Sequence, residues 1–292
     1  MNFEEFKEKT KEEMERRLEG GKVEIMEALK NNSVKRAGIA MAKPGMAASP
    51  VLYLESYYEK LQDGVGFTEI MEQIWKAYQK HTRKEPLDVE EFTDWGRARE
   101  KVSARLIHYG ENRELLEAVP HKRFLDLAAV YDFMEQLDGG GAAAVRINNK
   151  HMERWGICRE ELEAAAYANY KRSGGTKIRS MDSFIGELLG TAAGEHGSCL
   201  PMYVATNRWG IGGAAAMLFA EGLGGLAERL GSDLYILPSS IHEVLLLPTA
   251  MGQPGELAEI VREVNRTQVL PEERLSDNVY RFCRESGEVR IA

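Results

Sequence analysis

Cysteine is scarce in this chain, with three thiols, Cys158, Cys199 and Cys283, among 292 residues. An odd number at wide spacing leaves no disulfide framework and no CxxC metal site, and it is the usage expected of a reducing cytoplasm. The six histidines, at 81, 108, 121, 151, 196 and 242, never fall in pairs at metal-ligand spacing, so neither a metal nor another cofactor is expected. Long apolar runs are missing too, none approaching the ~20 residues that span a bilayer. The opening stretch MNFEEFKEKTKEEMERRLEGG is charged throughout and lacks the apolar core of a secretory signal. No membrane partner is expected. Nor is there an excess of positive charge: 38 basic residues stand against 46 acidic ones, a net charge of −8. Non-specific nucleic-acid binding rests on Lys and Arg displacing counterions, so nucleic acid is not expected as a partner. A local basic group, Lys171, Arg172, Lys177 and Arg179, reads as a solvated loop.

What is present is an ordinary globular composition, 43% hydrophobic and 29% charged. The length suits one large domain or two modest ones. Phe3, Phe6, Met14 and Leu18 give residues 2–19 one apolar helical face, stopped by Gly20-Gly21. KVEIMEALKNN and VKRAGIAMAK read as strands joined by Asn31-Asn32-Ser33, residues that tolerate a left-handed turn; the first also suits a helix. YLESYYEKLQDG, FTEIMEQIWKAYQKH and DVEEFTDWGRAREKV read as helices. VSARLIHYG and RFLDLAAVYDFM follow as strands, the triple glycine Gly139–Gly141 as a flexible connection, and REELEAAAYANYKR as a helix. In the last third, PMYVATN, AAAMLF, DLYILPSS and IHEVLLLP read as strands. AEGLGGLAERLG, ended by Gly231, and GELAEIVREVNRT read as helices. The order β-β-α-β-β-α predicts an α+β fold: an antiparallel sheet of hairpin-helix units, with helices on one face and a helix-rich N-terminal region. The boundary is expected near residue 98, giving regions 1–98 and 99–292.

The stretch LPSSIHEVLLLP holds Ser239, Ser240, His242 and Glu243, the ingredients of a hydrolase. The nucleophile motif G-x-S-x-G is absent, however, and strand-like residues flank SSIH, so a hairpin turn is the expected role. IHEVLLL lacks the second histidine of the zinc motif H-E-x-x-H. GEHGSCL places His196 beside Cys199, yet catalytic Cys and His usually come from separate elements, and an ordinary loop thiol is expected. NRWGIGGAAA lacks the lysine of a phosphate loop and reads as a glycine turn. If the two units match, the turns NRWGIGG and PSSIHE lie at one end of the sheet. Asn207, Arg208, Trp209, Ser239, Ser240 and His242 would then share a binding surface, on turns that a rigid scaffold holds in place.

Several segments together resemble an uncharacterised bacterial family, the domain-of-unknown-function family 5688. They include SPVLYLESYYEKLQDG, PHKRFLDLAAVY, PMYVATNRWGIGGAAAMLF, ERLGSDLYILPSSIHEVLLLP and VREVNRTQVLPEERLSDNVYRF. The resemblance implies a soluble intracellular protein and carries no activity, cofactor or catalytic residue. The alanine- and glycine-rich stretch GGAAAMLFAEGLGGLAERLG departs from the family pattern and is expected to loosen local packing. The function expected is that of a non-catalytic protein binding a protein or small-molecule partner. The alternative is a hydrolase using Ser239 or Ser240 with His242, or Cys199 with His196.

Overall fold

A computed structural model of the chain describes residues 1–43, 50–82, 92–136, 142–189, 201–238 and 240–292. The chain divides into two compact units, Met1–Lys30 with Val34–Glu90 and Asn31–Ser33 with Glu91–Ala292. Both combine helices with antiparallel sheet, as the α+β expectation requires.

The first unit begins with α1 (Phe3–Arg17), whose N-cap Asn2 and Glu5 cap each other's backbone N–H in a reciprocal box. Strands β1 (Lys22–Leu29) and β2 (Lys35–Ala42) pair antiparallel, and β3 (Val51–Tyr53) adds to β2. Between β1 and β2, Asn32 and Ser33 take the left-handed φ values 58° and 56° that a tight turn demands. Helices α2 (Glu55–Gln62) and α3 (Phe67–His81) follow. The period of two puts Ile39 and Met41 on one face of β2, where they join Phe6, Met14, Val23, Ile70 and Ile74 in one core.

The second unit carries two sheets. In the smaller, β6 (Leu127–Gln136) pairs with β4 (Val102–His108), and with β5 (Lys122–Phe124) and β7 (Ala142–Arg146) near its two ends. Short helices α4 (Trp95–Ala98), α5 (Arg113–Ala118) and α6 (Asn149–Trp155) flank these strands in sequence. Helix α7 (Arg159–Arg172) lays Leu162, Ala165 and Ala166 against Val102, Ala104, Tyr131 and Phe133 of β4 and β6.

The larger sheet has six strands in the order β13-β12-β10-β11-β9-β8. They are β8 (Lys177–Ser180), β9 (Tyr203–Thr206), β10 (Leu234–Leu237), β11 (Val244–Pro248), β12 (Tyr280–Phe282) and β13 (Val289–Ile291), and each neighbouring pair is antiparallel. Helix α8 (Met181–Leu189) follows β8. Helix α9 (Ala220–Leu230) packs Leu223 and Leu226 with Leu234, Ile236 and Leu246. Helix α10 (Pro254–Thr267) packs Leu257 and Val261 with Tyr235, Leu237 and Leu247. Since neighbours along a strand point to opposite faces, α9 and α10 cover opposite sides, which is why all four residues of LYIL in β10 are buried. The sheet is therefore sandwiched, where the sequence suggested helices on one face.

Three further differences have clear causes. AAAMLF is no strand: Gly213–Leu218 form a 3-10 helix. Both edges of β9 are already taken, by β8 and β11, so the segment has no free ladder to join. The first expected β-β-α unit is thus absent as a hairpin, while β10, β11 and α10 do follow that order. The run RFLDLAAVYDFM is two strands, because Leu125 adopts φ 58° and folds β5 back onto β6. The alanine run lies inside the unit: Gly213 to Met217 are all buried. Gly139–Gly141 lie outside the described residues.

Candidate ligand-binding cleft

The turn after β9 is organised by Asn207. Its Nδ2 donates to the Ile211 carbonyl at 2.7 Å, and its Oδ1 accepts from the Trp209 N–H at 2.9 Å. Gly210 and Gly212 supply the positive φ values, 65° and 66°, that let the chain reverse. Gly213 then touches the neighbouring turn so closely that a Cβ there would collide with the Thr206 hydroxyl and the His242 carbonyl.

That neighbour is the turn between β10 and β11. Thr206 Oγ1 donates to the His242 carbonyl at 2.8 Å, and the Ala214 N–H to the Ile241 carbonyl at 3.3 Å. The structure therefore brings the two turns singled out in the sequence into direct contact. Their polar side chains have different fates. Ser240 is 6% exposed; its hydroxyl donates to Glu243 Oε1 at 2.6 Å and accepts from the His242 N–H at 3.0 Å. The His242 imidazole sits with Nδ1 3.4 Å from the Gly212 N–H and Nε2 3.7 Å from Glu273 Oε1. No hydrogen bond joins the serine hydroxyl to the imidazole. Asn207 and Trp209 are half-buried and Arg208 is exposed, its guanidinium 4.4 Å above the Trp209 ring. Ser239, His196 and Cys199 lie outside the described residues.

Beneath the Asn207 turn lies a buried charge centre. Asp132, on β6 and 3% exposed, is held at 2.6 Å by both Arg105 of β4 and Arg146 of β7. Burial works against its charge, but the two guanidinium groups outweigh it and hold the carboxyl below its ordinary range. The stem of Arg105 supports Gly212, where an added Cβ would lie 3.3 Å from it.

A cavity of about 370 Å³ opens beside the Asn207 turn. Its floor is apolar: Ala166, Ala215, Ala216, Phe219 and Tyr170, with the last two rings stacked 4.0 Å apart. Tyr170 Oη lies 2.6 Å from Thr176 Oγ1 and accepts from the Thr176 N–H, which fixes the ring. Asn169 ties the end of α7 to the start of β4 by donating to the carbonyls of Arg99 and Val102, each at 2.8 Å. The Lys101–Glu135 ion pair, 2.7 Å, forms part of one wall, and Asn207, Arg208 and Trp209 part of the rim. A second, open hollow of about 510 Å³ continues past the same rim, lined by Lys177, Ile178, Arg179 and Thr206 to Gly210.

Lys101, Glu135, Asn169 and Tyr170 had no motif to reveal them. They come from the 3-10 turn before β4, from β6 and from α7, and only the packing of α7 on β4 and that turn assembles them. Of the basic residues read as a solvated loop, Lys171 pairs with Glu221 at 3.1 Å, Arg172 lines the cavity, and Lys177 and Arg179 line the hollow. Among the described residues no group of three His, Cys, Asp or Glu is placed to hold a metal ion. No described helix is long and apolar enough to cross a membrane.

The class so defined is an α+β protein with a polar-rimmed cleft in its second unit. A family model described as "Family of unknown function (DUF5688)" matches residues 3–284, and the chain belongs to that family. No curated protein and no solved structure matches it.

Proposed function

We propose that the chain is a non-catalytic binding protein whose site is the cleft beside the Asn207–Trp209 turn. The observation that carries this reading is the cavity itself, about 370 Å³, in which an apolar patch of Ala166, Ala215, Ala216 and Phe219 lies among polar and charged side chains. Small-molecule sites are concave and combine apolar surface with polar groups that set orientation. The rim is held by regular elements: Asn207 follows β9 directly, and Asn169 pins α7 to β4. A hydrolase built on Ser240 and His242 has less support. The serine hydroxyl is given to Glu243, and a triad needs it on the imidazole.

The test is a fragment screen followed by NMR on the full chain, with the Trp209 indole signal assigned by its disappearance in Trp209→Phe. Fragments that shift this signal saturably support the reading. A diverse library that leaves it unmoved overturns it.

A further inference from the structure

We infer that the cleft takes a small organic oxyanion, a carboxylate or phosphate ester on a compact apolar body. This deepens the binding reading above and rests on it. The argument starts from charge. The chain as a whole carries −8, yet the groups around the rim reverse that sign. Among the described residues, cavity and hollow together are lined by five cationic side chains and two carboxylates. Both carboxylates face cations already: Glu135 meets Lys101 at 2.7 Å, and Glu100 lies 4.0 Å from Arg172. Among the described residues that line the hollow, Lys177 and Arg208 are exposed cations and none is a carboxylate. A local excess of one sign in a concave site concentrates ligands of the opposite sign.

The second step concerns order. A free surface arginine loses side-chain entropy when it binds, which weakens the complex. Arg208 is held in advance over the Trp209 ring, and Trp209 is itself fixed through its N–H to Asn207 Oδ1. A stacked guanidinium keeps its planar fork of donors open to a carboxylate or phosphate. Arg208 and Trp209 line both the hollow and the cavity, so one ligand can set its anionic head at Arg208 and its body on the floor of Ala215, Phe219 and Tyr170.

The experiment titrates the full chain with three matched probes, benzoate, phenyl phosphate and the neutral benzamide, following the Trp209 signal. We expect at least one of the two anions to bind about tenfold more tightly than benzamide, a difference of the size that one charge-assisted contact supplies. Comparing benzoate with phenyl phosphate tells which head the site takes. Raising the salt concentration weakens the anion and leaves benzamide unchanged. In Arg208→Ala combined with Lys177→Ala the anion advantage collapses to about onefold; both side chains are exposed, so the fold is retained. Benzamide binding as tightly as both anions overturns the oxyanion inference and leaves the cleft reading standing. An anion advantage that survives the double variant overturns it as well. Silence at Trp209 from all three probes and from the fragment library sinks both.

Discussion

Within the second unit, the polar groups behind the two turns and those at the cleft rim are close neighbours with opposite fates. Behind the turns every principal group is spent on the protein itself. Ser240 serves Glu243 and His242, Thr206 serves His242, and Asp132 pairs with two arginines. At the rim Arg208 rests on the Trp209 ring, and Lys177 is exposed. A buried polar group left without a partner costs about 1–3 kcal/mol, so the inner groups are paired and held. The rim groups are solvated and can exchange water for a ligand at little cost. Residue type alone gives no guide: the serine and histidine that look catalytic belong to the closed set, and an arginine in a glycine turn belongs to the open one.

The comparison can be broken most severely at its centre. Asp132→Ala leaves Arg105 and Arg146 as like charges around a buried gap, and breaking a buried pair in this way costs roughly 3–5 kcal/mol. Denaturant unfolding of the full chain should show the loss as a lowered midpoint for the second unit. Gly213→Ala forces a methyl into the Thr206 hydroxyl and the His242 carbonyl, and overpacking of this kind costs about 1–3 kcal/mol. The same unfolding curves read it, and a midpoint equal to that of the wild type would mean the turns are not locked together. Ser240→Ala removes one donor and one acceptor from a buried turn, worth about 1–2 kcal/mol, and should leave ligand binding at the cleft unaltered. Arg208→Ala sharpens the contrast from the other side. Its stability should stay within about 0.5 kcal/mol of the wild type while the cleft loses its anionic ligand.

The smallest effect expected is a pH slope from a histidine elsewhere in the second unit, one engaged with the protein itself. Burial, with Arg154 nearby, holds the His151 imidazole below its ordinary pKa, and its Nδ1 accepts from the Asn148 N–H at the start of α6. A lowered folded pKa means the unfolded chain binds the proton more readily. The stabilising contribution is complete above about 6.5, the ordinary value, and fades as pH falls through the folded pKa. Unfolding midpoints measured from pH 7.5 down to 5 should therefore decline, and His151→Gln should flatten that decline. An unchanged slope in the variant would assign it to other groups.

Much of the chain was legible before folding because its signals are local. The apolar face of α1, the Asn-Asn-Ser reversal between β1 and β2, and the Gly231 stop of α9 all follow from residues a few positions apart. The alanine run was misread for the opposite reason. It carries no period of its own, and its state was decided by β8 and β11 flanking β9, strands that lie far from one another in the chain. The C-terminal hairpin of β12 and β13 went unforeseen because three-residue strands are too short to show alternation. Of the expected surface, Asn207, Arg208 and Trp209 line the cleft, while Ser240 and His242 are engaged behind it.

By itself the sequence determined the longer helices α1, α3, α7, α9 and α10, the β1–β2 and β10–β11 hairpins, the α+β class, and a composition without a long apolar run. Each of these depends on hydrophobic period, capping and turn chemistry within a few residues. Tertiary structure alone decided which polar groups were consumed and which stayed open. Whether Ser240 finds Glu243 or an imidazole, and whether Arg208 meets a carboxylate or opens onto the hollow, depends on how the turns are packed by the rest of the fold. The cleft exists because α7 packs on β4 beside a 3-10 turn that found no strand to join.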